Sequence, residues 1–479
     1  MAESNNQVVR ALGLTDSSAL VVGKVIGTGV FLKAAVMMQQ VHTPLLMLAA
    51  WVAAGLLSLA GTLAYAELAA MFPQAGGEYV YLRAAYGKAP AFLYGWMQIV
   101  VGQAGVIAAL GIACATFASA LLPLNAVWLH HSFHLFGREV AWRFGLQQVV
   151  ALGLILSFAA INCAGVALGG RAQSVLTAAK LLGIGLIVVG AFFFSGSGAW
   201  SNLTSASEGS HWSGFGPFGA AMLAALWAYN GWANLPMAAG EVRDPGRNMP
   251  RALIGGMLVV IAVYVLVNLA YVYALPLVEV LTSNSTAHSD ALPVATKAAR
   301  TFLGSAGEKF ISVAFVISGL GSLNAGILTA ARVPFAMSRD GLFFSKAANL
   351  GPRSHAPVWA IIIQAGWACM LALSGTFDQL TDLAVFSLWM FFGLTAASVF
   401  VLRRKIPEAA RPYRTIGYPI LPGIFVACAA WLVINTLYTN PWGSCAGLLL
   451  ISLGLPFYLY FSHESTRMDT NRRNGSGNV

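Results

Sequence analysis

The chain has 479 residues, of which 58% are hydrophobic and only 9% charged, with a formal net charge of +10. Soluble domains carry roughly 25% charged residues, so this composition cannot cover a water-facing surface and excludes an ordinary soluble fold. Apolar stretches of about 20 residues, the length that crosses a ~30 Å hydrocarbon layer, recur along almost the whole sequence and leave no room for a separate soluble domain.

In chain order, residues 1–14 are polar, lack the apolar centre of a cleavable leader, and read as a tail. Twelve spans follow: Ser17–Gln40, Leu45–Met71, Ala89–Leu122, Leu146–Gly165, Arg171–Phe194, Phe215–Gly240, Ala252–Leu275, Phe310–Ser338, Val358–Ser374, Leu380–Leu402, Ile420–Tyr438 and Trp442–Phe461. Residues 15–462 form one transmembrane domain and 463–479 a second polar tail. With the N-terminus placed in the cytoplasm, nineteen Lys and Arg fall in inner segments. Five (Arg138, Arg143, Lys297, Arg300 and Lys309) fall outside, and Lys24, Lys33 and Lys180 lie within spans. Basic residues concentrate on the cytoplasmic side of membrane proteins. The excess therefore sets orientation, with both termini cytoplasmic in a multi-pass protein of the inner cell membrane, and nucleic acid is not expected as a partner. The two long outer segments, Pro123–Gly145 and Pro276–Lys309, each have room for a short surface helix. His130, His131 and His134 have helical spacing but no acidic or Cys partner, so no metal site is read there. The five cysteines, all in or beside apolar runs without CxxC spacing, read as small buried hydrophobes.

Two spans are interrupted. The first contains Gly23-Lys24-Val25-Ile26-Gly27-Thr28-Gly29, and the sixth contains Trp227-Ala228-Tyr229-Asn230-Gly231-Trp232. Each Gly costs a helix interior about 1 kcal/mol, so three in seven residues favour a break. Broken backbone at membrane depth is tolerated only where it lines a cavity or is buried in protein. Breaks five spans apart are the pattern of an inverted repeat of five helices plus five, with the binding site between the two discontinuous helices. Repeat one then covers about 17–194 and repeat two about 215–402, with extra helices at about 420–461. N–H groups freed at a half-helix N-terminus suit a carboxylate, and carbonyls freed at a C-terminus suit an ammonium. A zwitterionic amino acid offers both. Gly23 and Gly27 also make a GxxxG pattern, which serves helix packing in other proteins.

These residues belong to five motifs: Val25–Phe31; Tyr65-Ala-Glu67-Leu-Ala running on through Phe72–Tyr81; Trp227–Trp232 followed by Glu241–Pro250; Thr177–Leu182 around Lys180; and Gly321-Ser322-Leu-Asn-Ala with Arg332 and Ser338–Gly341 after it. In their order along the chain they resemble the amino acid–polyamine–organocation superfamily, and within it the L-type amino acid transporter branch in its bacterial form. The resemblance implies an all-α polytopic fold of about twelve helices, a LeuT-type five-plus-five core with two C-terminal helices, and alternating access. It implies a carboxylate site at Ile26, Gly27, Thr28 and Gly29, an ammonium site at Trp227, Ala228, Asn230 and Gly231, and Trp227 as an aromatic lid. Asn230 stands where many relatives carry Gly, which narrows the pocket toward small neutral substrates. Lys180 matches the family's fifth-span lysine, which fills the place of Na⁺ near Ser322. Nine residues beyond Arg171, it lies ~13 Å into its helix, too deep to reach water easily.

Lys24 departs from the family pattern. It either faces the cytoplasmic vestibule or pairs with Glu67, which otherwise holds backbone at a helix end. Glu241, Arg243 and Asp244 form either a cytoplasmic latch or a solvated loop. The outer segment after span three has no cysteine, so no disulfide-linked heavy chain is expected. The reading is sodium-independent exchange or facilitated uptake of small neutral L-amino acids, with membrane lipid and substrate as partners. It includes no cofactor and no catalytic residue. The alternatives are a proton-coupled carrier, a cationic amino acid or polyamine transporter, and a non-transporting sensor.

Overall fold

The computed structural model describes residues 8–135, 138–205, 215–285, 287–288, 290–374, 377–439 and 441–463. With no water in a bilayer to satisfy backbone N–H and C=O groups, apolar segments of this length must close their hydrogen bonds internally as helices. They do so throughout. The helices are α1 (Leu14–Val25), α2 (Gly29–Val41), α3 (Pro44–Met71), α4 (Glu78–Tyr86), α5 (Lys88–Met97), α6 (Gln103–Ala118), α7 (Leu146–Ala164), α8 (Val166–Phe194), α9 (Phe215–Ala228), α10 (Asn234–Met237), α11 (Pro245–Ala274), α12 (Leu277–Leu281), α13 (Val294–Leu303), α14 (Ala306–Ala330), α15 (Arg332–Arg339), α16 (Val358–Ser374), α17 (Phe377–Lys405), α18 (Ile420–Thr439) and α19 (Pro441–Ser452). Eight described helices, some of them joined segments, are long and apolar enough to cross a membrane, and α1 with α2 makes a ninth span bent by 43°. The shorter apolar helices α9 and α16, together with α17, coincide with the remaining expected spans.

Burial decides which helices surround the site. Within the apolar windows, α14–α15 is 78% buried and α5–α6 is 72% buried, against 22% for α7 and α18. The first pair therefore sits at the centre with α1, α2, α9 and α10. The outer helices turn side chains such as Val175, Leu182, Phe193 and Ile420 outward, as lipid contact requires. Between α5 and α6 the residues Gln98–Gly102 form a π-helical turn. Such turns displace backbone partners and recur at functional sites. Here the Val100 carbonyl accepts from the Trp367 indole N–H of α16 at 2.8 Å.

Two expectations change. The first of the two long segments expected outside forms a β-hairpin, Val127–Leu135 paired antiparallel with Arg138–Gly145, with no helix among its described residues. Its aromatic and β-branched residues favour strands, the rings of Trp128 and Phe144 meet across it at 5.7 Å, and the Trp142 indole anchors it to the Leu373 carbonyl. Successive residues of a strand face opposite sides, so the helical spacing that brought the three histidines together does not apply. The second of these segments does hold short helices, α12 and α13. Residues 8–13 are also tied down: the Leu12 N–H donates to the Glu241 carbonyl and the Arg243 N–H to the Leu12 carbonyl, both at 2.9 Å, and the Leu12 side chain is buried. A single buried leucine in a polar tail carries too little apolar surface to stand out in the sequence.

The corner between α3 and α4 packs against α10. Gly77 sits at φ +52°, where a side chain would collide with the Met237 backbone of α10. Next to it Glu78 is fully buried, and burial pushes its carboxyl up to about 8. The folded chain then holds a proton that the unfolded chain releases above the ordinary carboxyl pKa. This contribution to stability is fully present at acidic pH and is lost as pH rises toward 8. For Glu78→Gln, thermal unfolding midpoints measured in detergent at about pH 5 and about pH 8 should differ less than those of the wild type.

Candidate functional site

Both expected breaks are present and face each other. Helix α1 ends at Val25, and α2 restarts at Gly29. Five carbonyls around the break, from Gly23 to Gly27, are met by side chains of three other helices. The Lys180 ammonium of α8 donates to Gly23 O at 2.7 Å, Ile26 O at 2.6 Å and Ser318 O at 3.0 Å. From α14, Ser318 Oγ donates to Ile26 O and Gly27 O, and Ser322 Oγ to Gly23 O and Lys24 O. From α11, Tyr264 OH lies 2.8 Å from Val25 O. On the other side of the break, the first N–H groups of α2 have no intrahelical acceptor.

Helix α9 ends at Ala228 and α10 begins at Asn234. Gly231 lies in the left-handed region at φ +126°, where a Cβ would fall 2.8 Å from Lys24 Cγ. A Cβ on Gly29 would fall 2.7 Å from that of Ala228. The glycines thus let the two breaks touch. Tyr264 OH, already at Val25 O, is also 2.9 Å from Ala228 O, so one hydroxyl proton serves carbonyls of both breaks.

Between the breaks lies a cavity of about 80 Å³. Of the residues expected to bind substrate, Gly27, Thr28, Gly29, Trp227, Ala228, Asn230 and Gly231 line it, together with Ser322 and Lys24. Ile26 does not line it, because its carbonyl is turned to Lys180 and Ser318. Lys180 lies behind the break. The Lys33 ammonium covers the Trp227 ring at 4.4 Å from its centroid.

The remaining expected residues lie elsewhere. Lys24 reaches neither Glu67 nor open solvent. It is buried along the cavity wall with its ammonium 3.4 Å from Ser322 O. The Glu67 carboxylate is held instead by Arg403 at 2.7 Å and 3.0 Å, by the Thr415 N–H at 2.7 Å, and near Arg411 at 3.5 Å. It joins α3 to the end of α17 and the loop beyond. Glu241 is not solvated: it forms a fully buried ion pair with Arg332 at 2.8 Å, tying the end of the sixth span to α15.

Reading the sequence missed Gln103, Asn234, Ser318 and Tyr264. The signal was present in Gln103 and Asn234, amide side chains within apolar spans, where polar groups are costly unless paired or functional. Ser318 and Tyr264 are common residue types whose partners at the first break lie 239 to 292 positions away.

A helix bundle with two interrupted helices facing one cavity at its centre defines a membrane carrier of the discontinuous-helix class. The sequence profile of the amino acid permease family matches residues 12–449, and the chain belongs to that family, within the amino acid–polyamine–organocation superfamily. It is similar to the serine/threonine exchanger SteT of Bacillus subtilis (strain 168), 34% identical over 96% of this chain and 98% of that protein. It also resembles the human b(0,+)-type amino acid transporter 1, 29% identical over 95% and 88% of the two chains. The human cystine/glutamate transporter is 26% identical over 95% and 86%. The chain is accordingly an amino acid transport protein of the membrane and not an enzyme.

If the Tyr264 hydroxyl holds the breaks together, Tyr264→Phe leaves a buried carbonyl without its donor. The expected loss is about 1–3 kcal/mol, read as a lower midpoint of thermal unfolding in detergent. A midpoint equal to wild type would exclude that role.

Proposed function

We propose that the protein exchanges, or passively admits, small neutral L-amino acids across the cytoplasmic membrane without sodium, by alternating access, with both termini cytoplasmic. The observation that carries this reading is the pair of helix ends of opposite polarity on one small cavity. The N–H groups of Thr28 and Gly29 at the start of α2 receive the carboxylate, where the helix dipole favours negative charge. Carbonyls at the end of α9, around Trp227 and Ala228, receive the ammonium. A cavity of about 80 Å³ has room for a handful of non-hydrogen atoms, which favours alanine or serine over phenylalanine or tryptophan. The Asn230 side chain occupies part of that space, and Trp227 closes it from outside. Repeats at about 17–194 and 215–402, with additional helices at about 420–461, rock against each other around the site.

Lys180 supports sodium independence, because its fixed ammonium binds the carbonyls of the first break that a monovalent cation would otherwise need to satisfy. A cationic substrate is disfavoured, since among the described residues no carboxylate lines the cavity while the Lys24 ammonium does. The outer segment after span three lacks a cysteine, which supports a chain that works without a disulfide-linked partner.

Counterflow in proteoliposomes tests the reading. Labelled alanine or serine should accumulate against unlabelled internal substrate, and replacing Na⁺ by choline should leave the rate unchanged. An absolute need for Na⁺ overturns the sodium-independent mechanism, and amino acid binding without flux identifies a sensor. Asn230→Gly should improve inhibition of counterflow by bulky neutral amino acids, and unchanged selectivity would remove Asn230 from the pocket's size limit.

A further inference from the structure

The cavity wall holds two polar groups that helix breakage does not explain. Lys24, in the last turn of α1, is only 6% exposed. Among the described residues its ammonium meets one acceptor, Ser322 O, at the long distance of 3.4 Å. Lys180 meets three, all within 3.0 Å. An ammonium has three donors, so Lys24 keeps donor capacity inside a low-dielectric wall. Gln103, the first residue after the π-helical turn, is 4% exposed and also lines the cavity.

A hydrogen-bond relay fixes which end of the Gln103 amide is free. Thr329 Oγ1 donates to Ala325 O at 2.7 Å and so accepts from Asn234 Nδ2 at 2.9 Å. Asn234 Oδ1 then accepts from Gln103 Nε2 at 3.3 Å. That leaves Gln103 Oε1, a buried acceptor without a protein donor among the described residues.

The two groups lie about one helical turn apart along α6 and α14. A Cβ built on Gly326 would fall 2.9 Å from Lys24 Nζ and 3.4 Å from Ile107. Ile107 lies four residues after Gln103, on the same face of α6. Thr329, the end of the relay, lies three residues after Gly326 on α14.

We propose that Lys24 and Gln103 form a subsite for the substrate's side chain that selects a short side chain ending in a hydroxyl, as in L-serine. The inference rests on the amino acid reading above and names the substrate class for that same cavity. A hydroxyl accepts one hydrogen bond and donates another, so it receives from Lys24 and gives to Gln103 Oε1. An alkyl side chain leaves both buried groups unpaired. A carboxylate satisfies Lys24 but sets two acceptors against each other at Gln103, and a cation is repelled by Lys24. Sites built to hydrogen-bond a substrate hydroxyl reject the analogue lacking it far more strongly than apolar pockets reject an added group.

Competition in the wild-type protein and in two variants tests this. Proteoliposomes loaded with L-serine are assayed for uptake of labelled L-serine, with external L-serine or L-2-aminobutyrate, which carries a methyl in place of the hydroxyl, as competitor. L-Serine should half-inhibit at a concentration at least about tenfold lower. Lys24→Met and Gln103→Met should each bring the ratio toward one. Equal inhibition of the wild type by the two competitors overturns the subsite while leaving amino acid exchange standing, as does an unchanged ratio in both variants. No counterflow with any amino acid overturns the subsite and the transport reading together.

Discussion

Lys180 occupies the point on which the rest of the site depends. A helix that breaks inside a membrane releases carbonyls that water cannot reach, each costing several kcal/mol if left bare. A bare ammonium at that depth is costly as well. Placed together, each cost offsets the other: the ammonium binds Gly23 O and Ile26 O, at a helix C-terminus whose dipole already favours positive charge, and reaches Ser318 O on α14. Ser318, Ser322 and Tyr264 satisfy the other carbonyls around the break. The result is an asymmetry. The carbonyl side of the first break is filled by protein donors, while the amide side at the start of α2 faces the cavity.

The same logic sets the approach of the second break. Tyr264 touches a carbonyl from each break, and the aromatic rings of Trp51, Tyr229 and Tyr264 pack against one another around it, with centroids 4.9–5.9 Å apart. Beyond the second break, Glu241 and Arg332 are both fully buried and bind each other through two nitrogens, and the Arg332 guanidinium also meets Leu328 O. Removing one partner of such a pair strands a buried charge, at a cost of about 3–5 kcal/mol. The backbone of Leu12, laid beside Glu241, adds the N-terminal segment to this junction. The cavity therefore lies between a polar lock at one end and the Trp227 ring with its Lys33 cover at the other.

Much of this was legible in the order of residues. Hydropathy located the spans, since a run of apolar residues in lipid can do little other than form a helix. Three glycines in seven residues located the first break, and Tyr-Asn-Gly in an apolar run located the second. The depth of Lys180 from Arg171 marked it as a residue held inside the bundle. These are properties of a segment taken alone, and local composition determines them before any packing occurs. The partners were decided by the tertiary structure. Whether Lys24 met Glu67, water or the cavity turned on Gly231 and Gly326, more than 200 residues away, leaving space for its stem and ammonium. Glu67 turned to Arg403 because α17 ends beside α3, and Gln103 became a cavity residue because Asn234 and Thr329 converged on it. The hairpin after α6 formed where helix and strand were both open to its sequence, and cross-strand pairing with a second segment settled it. A side chain's chemistry is written in the sequence, but its partner is chosen by which distant helices share its layer, and only packing brings those together.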